Sequence, residues 1–179
     1  MRKLSMDELG RKSVEEFKQA EKNPVIIVLD NIRSVYNVGS IFRTADAFLI
    51  EAIFICGYSP TPEHKQMAKT ALGATDTVDW IQFNSALEAV QTLQKNDYHV
   101  FAIEQADESI SLEKFEVSAY KKIAVVFGNE VEGVQQNVID ACTNCIEIPQ
   151  LGMKHSLNVA TAAGVVLWKL VEHFINSKK

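Results

Sequence analysis

The sequence predicts an α/β domain with a mainly parallel sheet and helices on both of its faces, and three observations predict it. Short runs rich in Val, Ile and Phe recur at spacings that leave room for a helix between them. The intervening segments carry apolar residues at helical intervals. Gly, Pro, Asn and Asp mark the changeovers, where turns need residues that tolerate tight backbone conformations.

Taken in order, residues 25–29 and 52–56 read as strands, and between them residues 38–48 set Ile41, Ala45 and Phe48 at helical spacing. That is one βαβ unit. The pattern continues with a helix over 63–72, a strand over 78–83, a helix over 85–96, and strands over 100–104 and 123–127. A helix over 134–142, a strand over 145–148 and a last helix over 156–175 complete it. Residues 4–22 read as an additional amphipathic helix, with Leu9, Val14 and Phe17 on or near one face, free to pack on the core or reach a substrate. With no low-complexity linker and no repeat, the expected organisation is an N-terminal helical extension, 1–23, on one domain, 24–179.

A chain of 179 residues, 47% hydrophobic and 23% charged, can bury a single core without disulfides. Residues 1–23 lack the apolar stretch of a signal peptide and no apolar run is long enough to span a bilayer, so a soluble cytoplasmic protein with no membrane contact is expected. Three cysteines argue against a disulfide framework. Cys142 and Cys145 form a C-x-x-C pair, but between a helix and a strand rather than at a helix N-terminus, and the four histidines show no ligand spacing; no metal is expected. The net charge of −5 counts against broad attraction to nucleic acid and leaves room for a local basic patch.

Ligands of open α/β sheets sit beyond the carboxyl ends of the strands, which directs attention to three loops. The first, residues 30–45, has one glycine where a dinucleotide site needs G-x-G-x-x-G. The second, Gly128 to Gly133, has the spacing of a phosphate loop, but Val134 and Gln135 stand where Lys and Ser/Thr are required, and Glu130 and Glu132 would repel a triphosphate. A cationic or neutral ligand lying against exposed backbone suits it better. The third, residues 148–159, leads into the last helix; Pro149 and Gly152 can shape the loop, and Ser156 is the expected cap.

Together these loops carry Asn37-x-Gly39-x-x-x-Arg43-Thr44-Ala45, Phe127-Gly128-Asn129-Glu130-x-x-Gly133 and Ile148-Pro149-x-x-Gly152-x-x-x-Ser156-Leu157-Asn158-Val159. In this order they resemble motifs 1, 2 and 3 of the SpoU (TrmH-like) RNA 2′-O-methyltransferases of the SPOUT superfamily. The resemblance covers about residues 24–172. It implies a deep trefoil knot near the C-terminus that binds S-adenosylmethionine, and a homodimer whose active site draws on both subunits. Leu49 departs from the pattern, which usually has Gly there. The chain also lacks the extra N-terminal RNA-binding domain of several ribosomal-RNA members. That difference, with Ala102-Ile103-Glu104-Gln105-Ala106, makes the tRNA guanosine-18 methyltransferases the leading comparison and ribosomal RNA the alternative substrate. A fold-mate that binds RNA without catalysis is the rival reading; retention of Asn37, Arg43, Glu130, Ser156 and Asn158 favours the enzyme.

The resemblance also assigns roles. A guanidinium keeps its charge, so Arg43 is expected to grip the phosphate beside the target ribose and stabilise developing alkoxide charge rather than act as a base. Asn37 holds the Arg43 segment or touches the ribose, and Glu130 orders the active-site loops. Gly128, Asn129, Ile148 and Leu157, with the Glu104 region, are expected around the cofactor. Candidate RNA cations are Arg11, Lys12, Arg33, Lys65, Lys69 and Lys154, expected to form a basic strip across the dimer. The last helix is apolar around more of its circumference than one core needs, with Val165, Trp168 and Ile175 among the surplus, so a dimer seam is its natural use.

Overall fold

The computed structural model describes residues 1–5 and 7–177. Seven strands form one sheet: β1 (Asn23–Asp30), β2 (Ile50–Cys56), β3 (Asp79–Phe83), β4 (His99–Ile103), β5 (Ile110–Ser111), β6 (Ile123–Phe127) and β7 (Asn144–Glu147). Their order is β3-β2-β1-β6-β4-β7-β5, and every neighbouring pair is parallel. The alternation of side chains along β1 explains why both faces are covered. Val25, Ile27 and Leu29 enter one apolar cluster and Ile26 and Val28 the other. On the first face lie α2 (Val35–Ala47) and α7 (Val159–Ser177), with the short α1 (Val14–Gln19), α3 (Ala68–Ala71) and α4 (Ala74–Thr77); on the second lie α5 (Ala86–Lys95) and α6 (Gln136–Ala141). Among the described residues no helix is long and apolar enough to cross a membrane.

The predicted strands are all present, but four details differ. The N-terminal helix over 4–22 does not form: a 3-10 turn at Asp7–Leu9 and the six-residue α1 replace it. Gly10, at φ +55°, breaks the path, and Ser13 starts a new helix by a capping box with Glu16. Leu9 and Val14 stay exposed and only Phe17 reaches the core. The helix over 63–72 shrinks to α3, because the Gln66 N–H turns back to His64 Nδ1 and makes a turn instead of helix. The two-residue β5 carries no sequence signal. The last helix begins at Val159, three residues later than expected.

Glycine in the first motif has a packing reason. A Cβ at Gly39 would lie 2.0 Å from Thr70 Oγ1, so α2 can approach α3 this closely only without a side chain there. Leu49, in the place of the usual glycine, holds φ +49° just beyond α2, the left-handed conformation that glycine adopts without strain.

Candidate functional site

The loops that follow β1, β6, β4 and β7 meet at one edge of the sheet. Their side chains form a connected network. The Glu130 carboxylate accepts the backbone N–H of Arg33 at 2.9 Å and of Ser34 at 3.0 Å, and the Asn37 side-chain amide at 2.8 Å. Burial pulls this carboxyl upward, but those donors outweigh it and hold its pKa below the ordinary carboxylate range. A carboxylate so engaged is a weak base and a good clamp. Asn37 Oδ1 in turn accepts the Asn158 side-chain amide at 3.1 Å.

Asn158 then caps α7. Its Oδ1 accepts the N–H groups of Ala160 at 2.9 Å and Thr161 at 3.3 Å, and its carbonyl accepts Ala162 N–H at 2.9 Å. The cap expected at Ser156 therefore belongs to Asn158; Ser156 is exposed on the cavity wall two residues earlier. One residue thus serves as helix cap and as link to Asn37, which is joined to two segments 93 and 121 residues further along the chain.

The loop 128–133 is closed on itself. Asn129 and Gly133 exchange backbone hydrogen bonds at 3.0 and 2.9 Å, and Gly133 holds φ +72°. A Cβ at Gly128 would lie 2.1 to 2.4 Å from backbone atoms of Gly133 and Val134, so the turn admits only glycine. The Asn129 side chain is committed elsewhere than to a ligand: its amide donates to Asn31 O and Tyr58 Oη, both at 2.8 Å, and its Oδ1 accepts Val131 and Glu132 N–H. Glu104 supports the loop from below, accepting Gln105 N–H at 3.0 Å and Val134 N–H at 3.2 Å. Beneath them the buried Asp30 accepts Gln135 N–H and the Asn31 amide; burial pushes its pKa up, and these donors offset part of that rise.

A cavity of about 640 Å³ opens between these loops, a volume in the range of small-molecule sites. It is lined by residues 127–134 and 155–159, with Ile103, Ile148, Leu157 and Ala162 among its apolar residues. Glu104, Glu130, Glu132 and Glu147 line it, and among the described residues no Lys or Arg does. Four carboxylates with no lysine or arginine beside them among the described residues favour a ligand carrying positive charge. S-adenosylmethionine, with a sulfonium and an ammonium on an apolar-faced nucleoside, fits that donor set and the closed glycine turn. Among the described residues no group of His, Cys, Asp and Glu is arranged to hold a metal.

Of the expected site residues, the structure brings together Asn37, Glu130 and Asn158 by hydrogen bonds, and Gly128, Asn129, Ile148, Leu157, Ser156 and Glu104 around the cavity. Arg43 stands apart. It is exposed on α2, six residues from Asn37 and hence about 120° away on the helix surface, outside the cavity and with no ion pair or hydrogen bond among the described residues. Arg11, Lys12, Arg33, Lys65, Lys69 and Lys154 are all exposed. They lie on separate elements, with Arg11 and Lys12 beside α1 and Lys154 on the loop before α7. Sequence reasoning missed Asp30, Asn31, Ser59, Tyr58 and Gln105, whose bonds lace the loops together; Gln105 donates to His155 O at 2.6 Å. Only the run of hydrogen-bonding residues after β1 hinted at them.

Comparison with known proteins agrees with this geometry. The chain is 29% identical over 174 residues to the 23S rRNA (guanosine-2′-O-)-methyltransferase RlmB of Haemophilus influenzae, across 95% of this chain and 68% of that protein. The chain thus spans about two thirds of that relative's length. Among solved structures, an A. aeolicus TrmH/SpoU tRNA modifying enzyme superposes with a TM-score of 0.79 at 21% identity, covering 92% of this chain and 82% of that one. An AdoMet-bound rRNA methyltransferase from Sinorhizobium meliloti gives 0.78 at 25% identity, covering 86% and 57%. The family model of the SpoU rRNA methylases matches residues 24–168, a span that contains the glycine turn, the Asn37–Glu130–Asn158 network and the acidic cavity, and the chain belongs to that family.

Proposed function

We propose that this protein is an S-adenosylmethionine-dependent RNA ribose 2′-O-methyltransferase of the cytoplasm, acting as a homodimer. The observation that carries the reading is the cavity lined by four carboxylates and, among the described residues, no Lys or Arg, bordered by the Asn37–Glu130–Asn158 network. Bound S-adenosylmethionine supplies an electrophilic methyl group on a sulfonium. Backbone at Gly128, Ile148 and Leu157 would hold its nucleoside, and Glu104 would offer negative charge to its cationic end. Leu157 and Val131, both exposed at the cavity, are apolar surface for the ligand to cover.

The chain's own residues then position the RNA. Glu130 fixes Asn37, and Asn37 presents its amide region to the target ribose. Arg43, exposed and not among the residues that line its own cavity, is assigned to the site of a second copy, where it grips the phosphate next to the ribose and stabilises negative charge on the attacking oxygen. The proton leaves to a phosphate oxygen or to water. The exposed apolar stripe Val165, Trp168 and Ile175 on α7 supports such a pairing. Residues 24–179 make up the catalytic domain, with the C-terminal segment knotted, and residues 1–23 are an N-terminal extension that packs on it through Phe17 and leads into β1 at Asn23.

Ribosomal RNA is the better-supported substrate, since the RlmB relative across 95% of this chain is named for it; tRNA is the alternative. The test is incubation of purified protein with labelled S-adenosylmethionine and separate ribosomal RNA and tRNA pools, followed by mapping of 2′-O-methyl positions. Transfer to neither pool, with cofactor still bound, refutes the enzyme reading. Arg43→Ala is expected to reduce transfer at least a hundredfold with cofactor affinity within about threefold of wild type; retained turnover refutes its role.

A further inference from the structure

Tyr58 follows β2, at the edge of the sheet that carries the candidate site, and it is held with unusual completeness for an exposed side chain. Its hydroxyl accepts the Asn129 amide at 2.8 Å and its backbone N–H donates to Asn31 Oδ1 at 3.3 Å. The turn beneath it is equally fixed. Gly57 has φ +61°, its N–H donates to Phe83 O at 3.1 Å, and a Cβ there would lie 2.1 Å from Asn31 Oδ1. The next residue, the buried Ser59, donates to Leu29 O at 3.2 Å and accepts Ile32 N–H at 2.8 Å, which ties this turn to the loop after β1.

All this order leaves the tyrosine 61% exposed. Fixing a side chain costs rotamer entropy that burial normally offsets, and here little burial does so. Asn129, which grips the ring's tip, adjoins Glu130, the clamp of Asn37. The exposed Arg33 gives its backbone N–H to the same Glu130. An anchored, exposed aromatic residue bonded to the loop that carries the exposed Arg33, at the edge of a site for ribose chemistry, matches the way proteins hold unpaired nucleotides: the base on the ring, the phosphate on a cation.

We propose that Tyr58 is the stacking platform for an unpaired base of the RNA substrate, at or next to the methylated nucleotide. This rests on the RNA methyltransferase reading. Sequence discrimination would then be weak at that position, because every base offers a π face, and the platform would select single-stranded or loop RNA over duplex.

The test compares Tyr58→Phe, Tyr58→Trp and Tyr58→Leu, measuring KM and kcat on the RNA pool that the wild type methylates, S-adenosylmethionine affinity by calorimetry, and mass by light scattering. Stacking predicts that Phe and Trp raise KM less than about threefold and that Leu raises it on the order of tenfold or more, with cofactor affinity and mass unchanged. Equal losses in all three would make the hydroxyl anchor the whole role and overturn the proposal. So would a Leu variant with wild-type KM, or a Leu variant whose loss accompanies a change in mass. A wild type that methylates no RNA overturns both this inference and the reading beneath it; an active wild type with an indifferent Leu variant overturns this inference alone.

Discussion

Replacing Glu130 by Gln isolates the clamp, because the side chain keeps its shape and loses its charge and one acceptor oxygen. The wild-type carboxylate accepts three hydrogen bonds, two from backbone N–H and one from Asn37. A bond to a buried charged group contributes roughly 1.5–3 kcal/mol, but Glu130 is exposed, and solvent screening reduces each to about 0.5 kcal/mol. Gln keeps one oxygen and turns an NH₂ toward donors, so the expected loss is about 1 kcal/mol. In urea, with a slope of about 2 kcal/mol per molar, the midpoint falls by roughly 0.5 M. Turnover falls further, on the order of a hundredfold, because Asn37 loses its fixed orientation. The pH dependence has a definite sign. The carboxyl is held below its ordinary pKa in the fold, so its contribution is complete above the usual carboxylate pKa and disappears as pH falls through the folded value. Wild type and Glu130→Gln therefore converge in stability under acid. An unchanged midpoint with turnover within twofold of wild type would refute the clamp, as would a stability gap that widens in acid.

Three other outcomes follow from the same structure. Gly128→Ala places a Cβ within 2.4 Å of backbone that cannot yield, so calorimetry should find cofactor binding lost and denaturation a loss of about 3 kcal/mol; binding near wild type would mean the turn is open. Leu72→Gly relieves a left-handed residue that is 64% exposed and packs little, and after glycine's larger unfolded-state freedom is set against it, thermal unfolding should rise by about 0.5–1 kcal/mol. Trp168→Glu puts a charge on the exposed stripe of α7, where the ring also touches Phe48 at 5.8 Å; light scattering should show monomers and methyl transfer should stop, whereas an active dimer would remove α7 from the seam.

The central strands of this protein were legible because their residues obey a simple rule. In a sheet covered on both faces nearly every strand residue is apolar, and β1 and β6 are buried almost throughout. The elements that failed are short and decided by local competition. Gly10 breaks what amphipathic spacing at 4–22 suggested, and His64 diverts the chain before α3. Ser156 and Asn158 are both good caps, so residue type could not choose between them; the choice is made by Asn37, 121 residues away, which accepts the Asn158 amide. The same holds for the site as a whole. The motifs mark the right loops, but that Asn129 staples its own loop and grips Tyr58 depends on where β1, β2 and β6 end relative to one another. Gly152 remains unexplained within one chain, since a Cβ there would meet nothing.

The place of β7 has a consequence for how the protein comes into being. It is the last strand of the chain, yet it lies inside the sheet, between β4 and the earlier β5. Its slot is bounded on both sides by segments already synthesised, and β1 pairs with β6 across roughly a hundred residues. Few of these contacts are local, so the entropy of loop closure precedes the reward, and folding should be slow, with the edge at β4 exposed meanwhile. Asn158 and α7 follow β7, so the network that fixes Asn37 closes only after β7 and the start of α7 have been synthesised. A chain clipped before α7 would lose Asn158 together with the buried face of that helix, so the network around Asn37 and one wall of the core would be lost at once.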